Sequence, residues 1–295
     1  MTSKQIKNPP SPLTAPLTPP MRMQRLMAMV GQYLELHFFT TRSMVLWPVL
    51  TLFILGSCWG LSDPEAILPG GINADTPFEV LFIASGFILL SATLGVVLVG
   101  FDGISRKRSS GALAIELSQT THRQDYGLAL LLGTWGVIAI PTLLLSCIGI
   151  TLIFAQMGLW PSVAEISLYL LATSLVLLWY AAIQLLASSW AEDMGSAIAI
   201  GIGTWLVFTL MWVLVTVVIA GLLGVDVSDT SNDSYLQLTT LVDLFSPNGV
   251  YQMLLELQLQ GDLGGRTVNS FQTWIAAFAW TVLPIWLYLR RLCRI

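Results

Sequence analysis

The chain has 295 residues, of which 55% are hydrophobic and 10% are charged, and its mean hydropathy is +0.75. A soluble globule of this composition would expose too much apolar surface to stay in water, so the sequence predicts an integral membrane protein. The formal net charge of −4 does not indicate a partner, because acidic and basic residues fall in different loops.

Residues 1–20 are rich in proline and poor in apolar side chains, which predicts a disordered cytoplasmic tail. They lack the apolar stretch of a secretory signal. Residues 21–40 combine apolar side chains with Arg22, Arg25, Gln32 and Glu35, a pattern typical of an amphipathic helix at the membrane interface. A solvated helical extension is the alternative.

A helix needs roughly 17–25 apolar residues to cross a hydrocarbon core. The chain supplies six such segments, which cover residues 44–61, 78–101, 127–157, 166–190, 194–223 and 271–289. The third and fifth are long enough to predict tilt, a kink at Pro141 or protrusion from the bilayer. Residues 41–295 are therefore expected to form one all-α domain with six transmembrane helices.

Basic residues gather before the first span, between the second and third spans, and after the sixth. They are Lys4, Lys7, Arg22, Arg25, Arg42, Arg106, Lys107, Arg108, Arg123, Arg290, Arg291 and Arg294. The opposite loops hold one basic residue, Arg266, and the acidic residues Asp63, Glu65, Asp75, Asp226, Asp229, Asp233, Asp243 and Asp262. Because positive side chains accumulate on the cytoplasmic side of spans, we expect an inner-membrane protein with both termini in the cytoplasm.

The spans contain almost no ionisable residue, whereas reactive sites inside membranes depend on such residues. The two histidines, His37 and His122, lie outside the spans, so a bis-histidine haem or a histidine metal site is not expected. Neither HExxH nor GxSxG occurs. We therefore expect no catalytic residue and no metal site in this chain, and a secondary transporter is disfavoured.

Small residues cluster in the third span at Gly127, Gly133 and Gly136 and in the fifth span over residues 195–203. Such positions let helices approach closely. Packing within one chain and a seam between two copies both explain them.

The polar loop at residues 102–126 carries the most specific pattern. Its sequence, FDGISRKRSSGALAIELSQTTHR, resembles the first cytoplasmic loop of ABC type-2 transporter permeases. The matching positions are Phe101, Asp102, Ile104, Gly111, Leu113, Ser118 and Arg123. The loop departs from the family pattern at the basic run 106–108, at Ala112 and Thr120, and by the absence of a lysine early in the third span.

The resemblance implies a six-span permease and a coupling helix that docks on a separate ATP-binding subunit. Residues 111–123 would span about three helical turns. The apolar side chains available to enter a groove on the partner are Leu113, Ile115 and Leu117, and those available to pair at its rim are Glu116, Gln119 and Arg123. The alternative is a positively charged inside loop with no docking role.

A second short loop contains Glu192 and Asp193 just before the fifth span. These carboxylates are candidates for a second contact with the same partner. Equally, they suit the N-terminus of a helix, where negative charge complements the helix dipole.

The segment at residues 224–270 is too long for a turn. Pro247 is suited to open a helix with Ser246 as its cap, and an apolar face would follow at Val250, Met253, Leu254 and Leu257. Met253 is the only soft metal ligand of this segment. We therefore expect a docking surface for an extracytoplasmic protein rather than a metal site.

Part of this segment is similar to permeases that serve copper-enzyme maturation, of the kind paired with nitrous oxide reductase assembly. Their Asn-Pro-x-x-x-Tyr-Arg motif matches here at Ser246, Pro247, Tyr251 and Gln252, with two of the residue types changed. The fifth span also resembles that group. The similarity implies that Pro247, Tyr251 and Gln252 contact the extracytoplasmic partner.

No G-x-x-x-x-G-K-[ST] sequence is present, so ATP and Mg²⁺ would be bound by the partner subunit and no cofactor by this chain. The predicted function is thus the permease subunit of an ABC transporter, paired with a second permease copy, most simply as a homodimer, and binding no nucleic acid. A membrane anchor or scaffold subunit of an enzyme complex is the alternative. The sequence does not specify a substrate.

Overall fold

The computed structural model of the protein describes residues 19–63, 74–119, 122–227, 232–259 and 266–295. Within these residues the chain forms α-helices and no strand, which confirms the all-α prediction. The helices are α1 (Pro19–Phe38), α2 (Thr41–Leu61), α3 (Pro77–Gly100), α4 (Ser105–Ser109), α5 (Ala112–Gln119), α6 (Arg123–Met157), α7 (Val163–Trp190), α8 (Met194–Thr209), α9 (Trp212–Leu223), α10 (Asp233–Asp243), α11 (Pro247–Glu256) and α12 (Ser270–Leu292).

Helices α2, α3, α6, α7 and α12 are each long and apolar enough to cross a membrane. The predicted fifth span is different, because it divides into α8 and α9 with a bend of 60° between them. The fifth predicted span, over residues 194–223, is therefore interrupted. The described residues thus supply five spans, or six if α8 and α9 together cross once.

Local sequence sets where the long helices begin and end. At the start of α3, the Thr76 side chain accepts from the Glu79 backbone while the Glu79 side chain accepts from the Thr76 backbone. Ser162 and Glu165 form the same reciprocal cap on α7. These caps satisfy backbone N–H groups that a helix start leaves without partners. Helix α6 has 35 residues and passes through Pro141 without ending, so its length, about 52 Å at 1.5 Å per residue, exceeds a hydrocarbon core of about 30 Å.

Helix α7 is the centre of the bundle and contacts α3, α6, α8, α11 and α12. Its aromatic residues Tyr169, Trp179 and Tyr180 are almost completely buried. The Trp179 indole donates to Thr281 Oγ1 of α12 at 2.8 Å. Helices α2, α9 and α12 carry many exposed apolar side chains, as expected of surfaces that face lipid.

Helix α1 occupies most of the segment predicted to be amphipathic and lies against α6. Tyr33 covers Gly133 and Leu34 covers Gly136, where any Cβ would meet these side chains. Packing within the chain therefore accounts for these glycines of the third span. In the fifth span Gly203 faces open space, so a seam between copies stays a prediction there. Of the predicted tail at residues 1–20, residues 1–18 lie outside the described residues, and Pro19 and Pro20 begin α1.

Candidate functional site

The loop between α3 and α6 contains two short helices rather than the single three-turn helix that was predicted. Helix α4 ends at Ser109, and α5 begins at Ala112. Between them Gly111 has φ +75°, a left-handed conformation that side chains rarely adopt. Gly111 thus turns the chain back, and the prediction that it lies within a continuous helix is wrong.

The beginning of this loop is fastened to α7 by a buried serine. Ser188 Oγ accepts from the backbone N–H groups of Ile104 at 3.2 Å and Ser105 at 3.1 Å, and it donates to the Phe101 carbonyl at 2.8 Å. The serine therefore supplies partners that the start of a short helix would otherwise lack inside the protein. This position was not identified from the sequence, because Ser188 is distant in the chain.

The apolar residues of α5 divide between two faces. Leu113 and Leu117 are buried, with exposed fractions of 3% and 8%, whereas Ile115 is 61% exposed. Leu113 and Leu117 pack into this chain's own core, so Ile115 is the one of the three predicted groove residues that is exposed in this structure. The surface of α5 open to a partner is formed by Ala114, Ile115 and Ser118.

Glu116 is engaged within the chain. Its Oε2 accepts from Lys107 Nζ at 2.8 Å and from the Tyr126 hydroxyl at 2.6 Å. Burial by itself would raise the pKa of Glu116, but these two hydrogen bonds outweigh it, so the pKa lies below its ordinary value. The triad joins α4, α5 and α6, and Glu116 is thus a link inside the loop rather than a free group at a rim.

Two further predicted contact residues also have partners in this chain. Asp102 Oδ2 pairs with Arg42 at 3.0 Å and with Arg106 at 3.6 Å. Arg123 donates to the carbonyl of Cys293 at 3.2 Å, at the end of α12. Both residues therefore hold the loop to the beginning of the first span and the end of the last, and the Gln119 side chain lies outside what the structure describes.

Helix α1 is tied to the end of the loop by a salt bridge that the sequence did not reveal. The Arg22 guanidinium binds both carboxylate oxygens of Asp125, in the first turn of α6. Tyr33 and Thr134 add a hydrogen bond of 3.2 Å farther along α6. The loop is thus held by contacts with α6 and α7, and its end also contacts α1.

At the predicted second contact, Asp193 is the N-cap of α8. Its Oδ1 accepts from the Ser196 backbone at 2.7 Å, and the Ser196 side chain accepts from the Asp193 backbone in return. These hydrogen bonds hold the pKa of Asp193 below its ordinary value. The cap explanation therefore accounts for Asp193, while the neighbouring Glu192 is exposed.

On the opposite side of the bundle, Ser246 caps α11 and Pro247 opens it, which confirms the predicted helix start. Val250, Met253 and Leu254 are fully buried, so α11 sits within the bundle instead of lying on its surface.

The three residues of α11 that were predicted to contact a partner also pack against helices of the same chain. Tyr251 and Pro247 are buried, and the Tyr251 hydroxyl lies 3.1 Å from Thr173 Oγ1. Gln252 is half-buried and donates to Ser85 Oγ at 3.1 Å. Tyr251 and Pro247 therefore contribute no surface for a docking protein in this structure, because helices of the same chain cover them.

Asn248 of α11 stabilises the bend in the fifth span. Its Nδ2 donates to the Phe208 carbonyl and to Thr209 Oγ1, both at 3.1 Å, and its Oδ1 accepts from the Tyr180 hydroxyl at 2.8 Å. An interrupted helix inside a membrane needs such substitute partners for its backbone. Helix α11 and the break between α8 and α9 are therefore joined by direct hydrogen bonds.

A buried cluster of ion pairs lies beside α11. Arg266 binds Glu256 through two hydrogen bonds of 2.7 and 2.9 Å and pairs with Asp243, and Asp243 also accepts from the Trp212 indole at 3.1 Å. These contacts join α9, α10, α11 and the segment that precedes α12. Within the part of the chain that the structure describes, no group of three His, Cys, Asp or Glu side chains is placed to hold a metal ion.

A sequence model of the family described as ABC-2 family transporter protein matches residues 23–294, which is almost the whole chain. No curated protein matches the chain.

Proposed function

The chain belongs to the ABC-2 transporter family of membrane permease subunits, and we propose that α5 is its docking element for a separate ATP-binding subunit. The observation that carries the proposal is the exposed, braced face of α5. Ile115 is exposed there although its neighbours Leu113 and Leu117 are buried. An isolated apolar side chain on a firmly held surface helix suits insertion into a groove of a partner.

The bracing explains how movement of the partner would reach the spans. Glu116 links α5 to α6, Ser188 links α4 to α7, and Arg123 reaches the end of α12. A displacement of α5 would therefore shift several spans as one body, because short hydrogen-bonded links transmit movement better than a flexible loop. ATP and Mg²⁺ would be bound by the partner, and two permease copies would form the membrane part.

The decisive experiment is binding of the purified chain to any ATP-binding protein of the ABC type that is encoded beside its gene. We expect Ile115→Asp to weaken binding at least tenfold, since a carboxylate would have to enter an apolar groove. Leu159→Asp is the matched control, because Leu159 is equally exposed, at 60%, but lies in the turn between α6 and α7. Leu113→Asp is unsuitable, since it would disrupt the core.

Equal binding by both variants would contradict docking through α5. Failure of the unaltered chain to bind any ATP-binding protein would favour the alternative, a membrane anchor or scaffold subunit. That alternative also predicts neighbouring genes for redox subunits and no neighbouring ATPase.

A role in copper-enzyme maturation is the finer proposal, and it rests on the similarity at residues 246–252 and in the fifth span. The buried positions of Pro247 and Tyr251 support a part in fixing the outer helix. Deletion of the gene in a host that makes nitrous oxide reductase is expected to lower the copper content of that enzyme. Unchanged copper content would contradict the maturation role and leave the permease proposal standing.

A further inference from the structure

An apolar groove of about 560 Å³ runs along the N-terminal half of α12. Phe271, Ile275, Ala279 and Leu283 line it along α12, and Phe245 lines it from the turn before α11. Phe245 and Phe271 are 73% and 74% exposed. Because α12 is long and apolar enough to cross a membrane, the groove would open toward the hydrocarbon of the bilayer.

A polar pocket of about 320 Å³ lies between α10 and the start of α12. Asp233, Gln237, Thr240 and Arg266 contribute its charged and polar groups. Gln272 lines both this pocket and the apolar groove. The two spaces therefore meet at one residue near the end of a span, with the polar one beyond the apolar one.

The charges around the pocket select the kind of polar group that fits. Arg266 is already engaged by Asp243 and Glu256, so its positive charge is not available to a ligand anion. Among the described residues, no salt bridge engages the carboxylate of Asp233. The pocket is thus net negative, which disfavours an anionic group and favours an ammonium group.

We propose that the groove and the pocket together bind one phospholipid whose headgroup carries a primary amine. One acyl chain lies between Phe245 and α12, the glycerol region passes Gln272, and the ammonium group pairs with Asp233. A second copy of the chain would cover the apolar groove but would leave the polar pocket without a partner of matching chemistry. This site depends on α12 crossing the membrane and not on docking of an ATP-binding subunit.

The test uses the full-length protein in nanodiscs that contain phosphatidylethanolamine with a photoreactive diazirine on an acyl chain. After illumination, mass spectrometry is expected to find the label concentrated on residues 271–283. Ala279→Trp fills the groove and should lower this labelling at least tenfold. Ala155→Trp, at an exposed alanine of α6, is the matched control and should leave it unchanged. Ile275→Trp repeats the test if the first variant does not give a monodisperse protein.

The headgroup preference is measured with phosphatidylglycerol carrying the same diazirine. We expect at least fivefold weaker labelling than with the amine lipid, and Asp233→Asn should bring the ratio of the two close to one.

Equal labelling of the unaltered protein by both lipids would overturn the amine assignment. Labelling spread evenly over α2, α9 and α12 would overturn the site itself. Efficient disulfide cross-linking of two chains through Ile275→Cys, with Cys147 and Cys293 replaced by serine, would also overturn it.

Discussion

At the scale of single residues, Gly133 decides how closely α1 can lie on α6. A Cβ at this position would overlap the ring of Tyr33, and the Tyr33 hydroxyl bonds Thr134 beside it. Close contact of this kind uses dispersion forces that require the smallest residue at the crossing. Gly133 is therefore required for the close packing of α1 against α6.

We predict that Gly133→Ala displaces α1 from α6. The overlap should destabilise the fold by about 1–3 kcal/mol, the usual cost of overpacking a core. The measurements are the thermal denaturation midpoint and the rate of trypsin cleavage at Arg22 and Arg25. Gly86→Ala is the control, because a Cβ there meets nothing within 4 Å. If both variants are cleaved at the same rate, Gly133 has no such role.

Glu256 gives the ion cluster of α10 and α11 a pH dependence. Burial raises its pKa above the ordinary value, and the hydrogen bonds from Arg266 offset this only partly, since Asp243 shares the same cation. The folded state consequently holds the Glu256 proton more tightly than the unfolded state does. Its contribution to stability is fully present below the unfolded pKa, about 4.3, and is lost as pH rises through the folded pKa.

We predict that Arg266→Gln enlarges the loss of folding stability that Glu256 causes as pH rises. Without the guanidinium, the pKa of Glu256 should rise further, so the denaturation midpoint should fall more steeply between pH 4 and neutral pH than in the unaltered protein. The double variant Arg266→Gln with Glu256→Gln should lose most of that extra slope, because the titrating group is gone. Parallel pH profiles for the single and double variants would exclude Glu256 as the cause.

At the scale of elements, much of the bundle follows from apolar length, but the interruption of the fifth span does not. Residues 208–211 are Phe-Thr-Leu-Met, and they include no proline or glycine that would predict a break in the helix. The break is stabilised by Asn248 and by the pairing of Trp212 with Asp243, contacts made by residues distant in the sequence. A hydropathy profile cannot detect this bend, because the bend depends on tertiary contacts with residues that are distant in the sequence.

The loop between α3 and α6 shows the same division between local and distant information. Helical geometry of 100° per residue places Leu113 and Leu117 on one face and Ile115 nearly opposite, so their separation could be predicted from spacing alone. Which face is buried depends on the packing of α5 against the bundle. The burial of Leu113 and Leu117 and the fixing of α4 by Ser188 were accordingly not predictable from the loop itself.

We predict that Asp193 acts as a helix cap and not as a charged docking contact. Asp193→Ser keeps an oxygen that can accept from Ser196 and should leave both the denaturation midpoint and the binding of an ATP-binding subunit unchanged. Asp193→Ala should lower the midpoint, because an N–H group at the start of α8 loses its partner. Glu192→Ser is the control for charge alone. Loss of binding with unchanged stability in Asp193→Ser would instead identify a docking contact.

At the scale of the whole molecule, the path of α8 and α9 determines which side of the membrane each later segment occupies. If the bent pair crosses once, the chain has six spans, and Asn269 and Cys293 lie on opposite sides. If the pair enters and returns on the same side, α12 crosses in the reverse direction. The two arrangements therefore place Ser109 with Cys293 or with Asn269, respectively. The structure agrees with the first, because Arg123 at the end of the loop that contains Ser109 donates to the Cys293 carbonyl at 3.2 Å.

We predict a single crossing, because the positive residues at 106–108 and 290–294 then share the cytoplasmic side and the acidic loops face outward. The measurement is labelling of single-cysteine variants in intact spheroplasts with a membrane-impermeant maleimide. Asn269→Cys should react, whereas Ser109→Cys and the native Cys293 should react only after the membrane is opened. All three positions are exposed in the structure, so accessibility within the protein is matched. Labelling of Cys293 but not of residue 269 in intact spheroplasts would contradict both the single crossing and the contact of Arg123 with Cys293.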